Sequence, residues 1–162
     1  MKLKTLRTLQ IIALALFLFA FLLSIASIFL QNPIKSLFYG YKEGHPVYQT
    51  RTAPYSAVIG CFVHALLALI WLLLLIKGQS RRGSITAVIV LSILFLLYQT
   101  AISPVAGIFI TRSVSARGVN ALAAYNVISS FTSMLTAPFS ATGNLLMFLS
   151  LGGACGRDTR KQ

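Results

Sequence analysis

Residues 9–30 decide the fold, because they read LQIIALALFLFAFLLSIASIFL without one charged side chain. As an α-helix this stretch is about 33 Å long, which is enough to cross a hydrocarbon core of about 30 Å. The sequence therefore predicts a membrane-spanning helix near the start of the chain.

The same stretch has one alternative interpretation, a cleaved signal peptide. Three basic residues precede it, and residues 24–26 (Ser-Ile-Ala) resemble a cleavage site. The apolar stretch continues past that site to Leu30, however, and exceeds the roughly 7–15 residues of a signal-peptide hydrophobic region. We therefore favour a span that stays in the protein.

Three further apolar runs predict a bundle of four spans. They cover about residues 57–76, 85–105 and 126–151, and the third run extends in composition to residue 110. Apolar residues make up 57% of the chain and charged residues 10%, whereas a soluble domain carries roughly 25% charged residues. The predicted fold class is all-α: an integral membrane four-helix bundle with short loops, in a single domain of residues 1–162.

The net charge of +12 comes from fourteen Lys and Arg against Glu43 and Asp158. The basic residues lie in the gaps between the apolar runs and form no stripe with interleaved aromatics, as a nucleic-acid surface would. We therefore expect no nucleic acid partner. Basic flanks of membrane spans account for the charge more simply.

The basic residues also predict an orientation. With four spans, nine of them fall on the side of both termini and five on the other side. The nine are Lys2, Lys4, Arg7, Lys77, Arg81, Arg82, Arg157, Arg160 and Lys161; the five are Lys35, Lys42, Arg51, Arg112 and Arg117. Because cytoplasmic loops carry the excess of Lys and Arg, both termini are predicted to be cytoplasmic. We expect the membrane to be the plasma membrane or an endomembrane.

The two outer loops differ in length and composition. Residues 31–56 are rich in tyrosine and proline, which predicts an aromatic belt at the headgroup level, with a recognition surface as the alternative. Trp71 is predicted to anchor the second span in the same way. The apolar residues within 111–125 predict a short surface helix.

The predicted spans contain no Asp, Glu, Lys or Arg, which weighs against a pump or an ion-coupled transporter. Apart from tyrosine and cysteine, His64 is the ionisable residue at depth. We expect its imidazole to hydrogen-bond a neighbouring helix, with proton sensing or ligand binding as alternatives. A metal site is not indicated, because the second histidine, His45, lies in a loop.

The fourth span carries a polar stripe at helical spacing. Its members are Ser129, Ser133, Thr136, Ser140 and Asn144. Small side chains at such intervals let helices approach closely, so the stripe is predicted to pack inside the bundle; lining a polar pore is the alternative. Pro138 is predicted to kink this helix.

Gln99 of the third span is costly to bury unless it is hydrogen-bonded. The candidate partners are Asn144, His64 or a hydroxyl of the fourth span. Among these, we predict that Gln99 meets the polar stripe of the fourth span.

The two cysteines are predicted to lie at different depths, so no disulfide is expected between Cys61 and Cys155. Cys155 follows the last span next to Arg157, which makes it a candidate for lipidation, with a free thiol as the alternative. No phosphate-binding loop, nucleophile elbow or paired carboxylates occur in the sequence. We therefore expect neither an enzyme nor a cofactor.

The segment Leu6-Arg7-Thr8-Leu9-Gln10-Ile11-Ile12-Ala13 places a basic residue and a glutamine just before the first apolar run. Together with four spans and cytoplasmic termini, it resembles the MARVEL-type membrane proteins. Many members of that family carry an acidic residue in the third span, where this chain has Gln99. The resemblance implies a role in organising membrane domains or vesicle traffic, without catalysis.

The sequence thus favours a non-enzymatic protein that acts by lateral association with membrane lipids, with other membrane proteins or with itself. An accessory subunit of a larger membrane complex or transporter is the second interpretation. A small channel or a membrane-embedded enzyme is a third, which the missing ionisable groups disfavour.

Overall fold

The computed structural model describes residues 2–155, and these residues form helices and no strand. Four of the helical stretches are long and apolar enough to cross a membrane: Leu3–Phe29, Tyr55–Lys77, Arg81–Ser115 and Val119–Ala154. The predictions of an all-helical chain and of four candidate spans are therefore confirmed. The basic residues after Cys155, which contributed to the predicted orientation, lie outside the described residues.

Residues 2–155 contain seven α-helices and one π-helical segment. They are α1 (Leu3–Phe29), α2 (Gln31–Tyr39), α3 (Pro46–Gln49), α4 (Tyr55–Lys77), α5 (Arg81–Leu97), the π segment (Tyr98–Ile102), α6 (Ser103–Ser115) and α7 (Val119–Ala154). Helix α5, the π segment and α6 run on without a break and together form the third candidate span.

Helix α1 lies at the centre of the bundle, where it packs along both α7 and α4. One close fit is made by Phe17, which is fully buried and lies over Gly143 of α7. A Cβ atom placed on Gly143 would lie 2.8 Å from Cε1 of Phe17. The absence of a side chain at position 143 is therefore what lets the phenyl ring fill the space between α1 and α7.

Polar contacts close one end of the bundle, where the chain starts and α7 ends; we call it the terminal end. The indole Nε1 of Trp71 donates to Oγ of Ser150 at 3.0 Å, and that hydroxyl donates to the carbonyl of Leu6 at 3.3 Å. Trp71 is only 1% exposed. The prediction that it anchors at a membrane interface is therefore wrong, because Ser150 satisfies its N–H inside the core.

Two further bonds fix α1 against α4 at the terminal end. Gln10 Nε2 donates to the carbonyl of Ala68 at 2.7 Å. The guanidinium of Arg7 donates to the last carbonyls of α4, including that of Leu75 at 2.9 Å. A cation at a helix C-terminus satisfies free carbonyls and complements the helix dipole.

The opposite end, which we call the cap end, is covered by α2 and α3. Gln31 donates to the carbonyl of Ile28 and accepts from the backbone N–H of Thr52. The buried side chain of Lys35 donates to the carbonyls of Tyr48 and Thr50. These bonds hold the first outer loop folded at the end of α1, where α2 and α3 contact α7.

The second outer loop is shorter than the sequence indicated. Helix α6 continues to Ser115 and α7 begins at Val119, so a tight turn joins them, with Gly118 at φ 110°. Val114 packs with Ala121 and Tyr125 across this hairpin. The predicted surface helix is therefore wrong, because the apolar residues that suggested it extend the two long helices.

Candidate functional site

The third candidate span widens into a π-helix just before a proline. Pro104 has no N–H to donate to the carbonyl of Thr100, and its ring would crowd that carbonyl in a regular α-helix. The chain instead forms the π segment over Tyr98–Ile102. Such segments are often found at functional sites. This one contributes Tyr98 and Gln99 to the helix bundle.

His64 lies near the middle of α4. It is the centre of a group of polar side chains that we call the polar cluster. Its Nδ1 is 2.7 Å from the carbonyl oxygen of Gly60, and its Nε2 is 3.0 Å from Nε2 of Gln99. A carbonyl can only accept, so Nδ1 carries the hydrogen of a neutral ring. Nε2 is then an acceptor, and the Gln99 amide donates to it.

Aromatic rings surround the imidazole. Ring centroids lie at 5.4 Å for Phe17, 5.3 Å for Phe95 and 5.7 Å for Tyr98, the last two in edge-to-face geometry. His64 is 8% exposed. These rings keep the hydrogen bonds of His64 in apolar surroundings, where losing a partner is costly.

Hydroxyl and thiol groups extend the cluster to the other helices. The thiol of Cys61 lies within hydrogen-bonding reach of Thr136 and Ser140 on α7. The phenol of Tyr98 lies within reach of Ser103. The cluster thus joins α4, the third span and α7 around the ring of Phe17.

The polar stripe predicted on the fourth span is only partly inside the bundle. Thr136 is buried, and Ser129, Ser140 and Asn144 are half-buried. Ser133 is exposed, so the prediction that it packs inside is wrong. The buried face of α7 is rotated about the helix axis relative to the stripe, and the two share Thr136. This face is formed by Ile128, Thr132, Thr136, Gly143 and Met147.

Thr132 is a buried polar residue that the sequence analysis missed. Its hydroxyl bonds to Oγ of Ser27 on α1 and to the carbonyl of Ile128, both at 2.7 Å. The spacing of Thr132 from Thr136 would have placed the two hydroxyls on one face. The other neighbours of Thr132 on that face are apolar, so the sequence shows no polar stripe that includes it.

The structure selects His64 from the three partners considered for Gln99. The narrower prediction, that Gln99 meets the stripe of the fourth span, is wrong, since no bond to that stripe forms within residues 2–155. Gln99 is also exposed on the flank of the bundle. The carbonyl oxygen of Asn144 is buried without a partner in the described part of the chain.

Within residues 2–155 no three His, Cys, Asp or Glu side chains come together as metal ligands would. Cys61 and Cys155 are both free thiols, the first buried and the second exposed at the end of α7. Lipidation of Cys155 stays a prediction.

Compared with protein-family models, with curated proteins and with solved structures, the chain matches none of them. Its class therefore rests on the chain itself. It is an all-helical protein with four helices long and apolar enough to span a membrane. A neutral polar cluster links three of them.

Proposed function

We propose that this chain is a non-enzymatic multi-pass membrane protein that organises membrane domains or traffic by lateral association with other membrane proteins. The observation that carries the proposal is the sparse packing of the third span. Only 11% of its most apolar stretch is buried, against 28–39% for the other three candidate spans. This helix is the one with the most surface left for a partner.

Gln99 distinguishes this surface from a purely lipid-facing one. Its amide uses one N–H for His64, while its carbonyl oxygen makes no bond within the described residues. Large apolar side chains flank it, including Leu96 (64% exposed) and Ile102 (57% exposed). An unpaired amide group in hydrocarbon is costly, and a helix of another protein would satisfy it.

A second surface on α7 supports the same proposal. Four small residues recur there at spacings of three or four and are all exposed: Ser130, Ser133, Ala137 and Ala141. Small side chains on a helix surface let a neighbouring backbone come close, which is how membrane helices associate. Within this proposal, Ser133 contacts a partner helix and not the chain's own core.

The resemblance of the first helix to MARVEL-type proteins agrees with such a role. Gln10, one of the residues behind that resemblance, holds α1 to α4 through the carbonyl of Ala68. The proposed protein needs no cofactor or metal. An accessory subunit of a larger membrane complex is the second candidate, because the same exposed third span would serve a fixed partner.

Photo-crosslinking in native membranes tests the proposal. A photoreactive amino acid at Leu96 is expected to give discrete protein adducts, because this side chain lies beside Gln99 on the sparsely packed span. The matched control is Leu22 of α1, which is 61% exposed on a well-packed helix. Adducts at Leu22 in equal yield, or none at Leu96, would contradict lateral association through the third span.

The same adducts distinguish the two candidate functions, a protein that organises membrane domains and an accessory subunit. A set of several adduct masses, including those of the chain itself, is expected for a protein that organises membrane domains. A single adduct mass, recovered with the whole protein in fixed stoichiometry after gentle extraction, would instead identify an accessory subunit.

Both termini are expected to be cytoplasmic. The start of α1 and the end of α7 share the terminal end, where Ser150 bonds to Leu6, so they lie on one side of any membrane the bundle spans. Lys77, Arg81 and Arg82 add basic charge at the α4–α5 connection, which favours the cytoplasm. Terminal tags are expected to be labelled only after permeabilisation. Labelling of the tags in sealed cells would show that the termini lie outside, opposite to this orientation.

A further inference from the structure

A cavity lies at the cap end of the described part of the chain. Its volume is about 640 Å³, within the range of roughly 300–1,000 Å³ typical of ligand sites. The end of α1, the first turn of α2 and the segment before α4 enclose it. Its lining includes Ile28, Phe29, Asn32, Arg51 and Tyr55.

The cavity is cationic. The exposed guanidinium of Arg51 lines it and makes no hydrogen bond or ion pair within residues 2–155. Burial, and then the charge of Arg51, lower the pKa of nearby Lys35. Glu43 is the one acidic residue in the described part of the chain, and it does not line the cavity. Within residues 2–155, Arg51 therefore has no counter-ion.

An apolar groove adjoins this cavity. The groove has a volume of about 220 Å³ and lies between α1, α2 and α7. Its lining includes Leu23, Leu30, Leu37 and Phe131, and it shares Pro33 with the cationic cavity. The charged compartment and the apolar one thus share a wall at Pro33, in the first turn of α2.

We propose that these two compartments form a binding site for an anionic phospholipid. The phosphate pairs with Arg51, since guanidinium groups bind phosphate oxygens in a bidentate geometry. The acyl chains follow the apolar groove past Leu37. The adjoining groove is what favours a lipid over free phosphate, because inorganic phosphate would leave it empty.

Native mass spectrometry of the full chain, released from nanodiscs of phosphatidylcholine and phosphatidylglycerol, tests the site. Wild-type protein is expected to retain phosphatidylglycerol over phosphatidylcholine. Arg51→Gln should lower that retention by about tenfold or more, as expected when a charged hydrogen bond is lost. The side chain of Arg51 is exposed and unbonded, so this substitution should leave folding intact. The control is Arg117→Gln, which removes the same charge from the α6–α7 turn outside both compartments.

Three outcomes would overturn the site. Equal retention by wild type and Arg51→Gln would show that Arg51 holds no phosphate. An equal loss in Arg117→Gln would assign the effect to the general charge of the cap end. Displacement of phosphatidylglycerol by inorganic phosphate at comparable concentration would show that the groove holds no acyl chain. None of these results depends on the crosslinking of the third span, so the two proposals fail separately.

Discussion

Gly143→Ala is expected to destabilise the bundle by about 1–3 kcal/mol, the usual cost of overpacking a core. The added methyl group would lie 2.8–3.2 Å from three carbons of the Phe17 ring. Phe17 is fully buried where α1 packs on α7, so its ring must shift within the core to admit the methyl group. Thermal unfolding of the purified protein in detergent, followed by helicity and by size, measures the effect.

The matched control is Gly152→Ala, which adds the same methyl group to the same helix. A Cβ atom at Gly152 would meet no heavy atom within 4 Å. This variant is therefore expected to keep or slightly raise stability, since alanine favours a helix more than glycine does. Equal losses in the two variants would show that Phe17 does not pack on Gly143.

A double variant tests the same contact from the other side. Phe17→Leu alone should cost stability because it leaves a cavity. Combined with Gly143→Ala, it should cost less than the sum of the two, since the smaller side chain makes room for the methyl group. Additive losses would place the two residues in independent sites.

The four candidate spans could be predicted from sequence because apolar length is a local property. Residues 9–30 contain no charge, and no tertiary contact is needed to recognise such a run. The ends of the spans could not be predicted as well. Helix α7 starts at Val119, seven positions before the predicted boundary at 126, because its first turns pack against α6 and do not depend on apolar length.

The orientation of each helix about its own axis was harder to predict. The stripe through Ser133 and the buried line through Thr132 differ by one position, and only the packing of α1 decides between them. In a soluble bundle the apolar face would mark the core. In α7 both faces are apolar, so only the polar residues could indicate which face is buried. Hydroxyl groups occur on both faces, so they did not decide between them.

His64 and Gln99 could both be identified from the sequence, but their pairing was only one of the alternatives considered, and Cys61 and Tyr98 were not expected beside them. His64 and Gln99 stood out because polar side chains are rare within apolar runs. Their contact depends on the π segment that precedes Pro104, and no local rule shows how far such a segment rotates the helix. Lys35 was counted only as a loop charge, although the carbonyls of Tyr48 and Thr50 bury it.

His64→Leu is expected to lower stability by about 1–3 kcal/mol, the cost of leaving the Gln99 amide without its partner in apolar surroundings. The substitution removes the acceptor of the Gln99 amide and the donor to the carbonyl of Gly60. Gln99→Leu should have a smaller effect, because it leaves only Nε2 of His64 unpaired. Ser133→Ala, an exposed change on α7, is the control and should have no measurable effect.

The variant carrying both His64→Leu and Gln99→Leu decides whether the pair is a bond. Replacing both partners by apolar side chains removes the unsatisfied groups together, so the double variant should be more stable than the two single losses predict. The expected coupling is at least about 0.6 kcal/mol, the average for hydrogen bonds between membrane helices. Since Gln99 lies on the surface proposed for lateral association, its substitution should also reduce the adducts formed at Leu96. Zero coupling, with adducts unchanged, would show that the amide of Gln99 neither holds the third span to α4 nor marks the surface on which a partner binds.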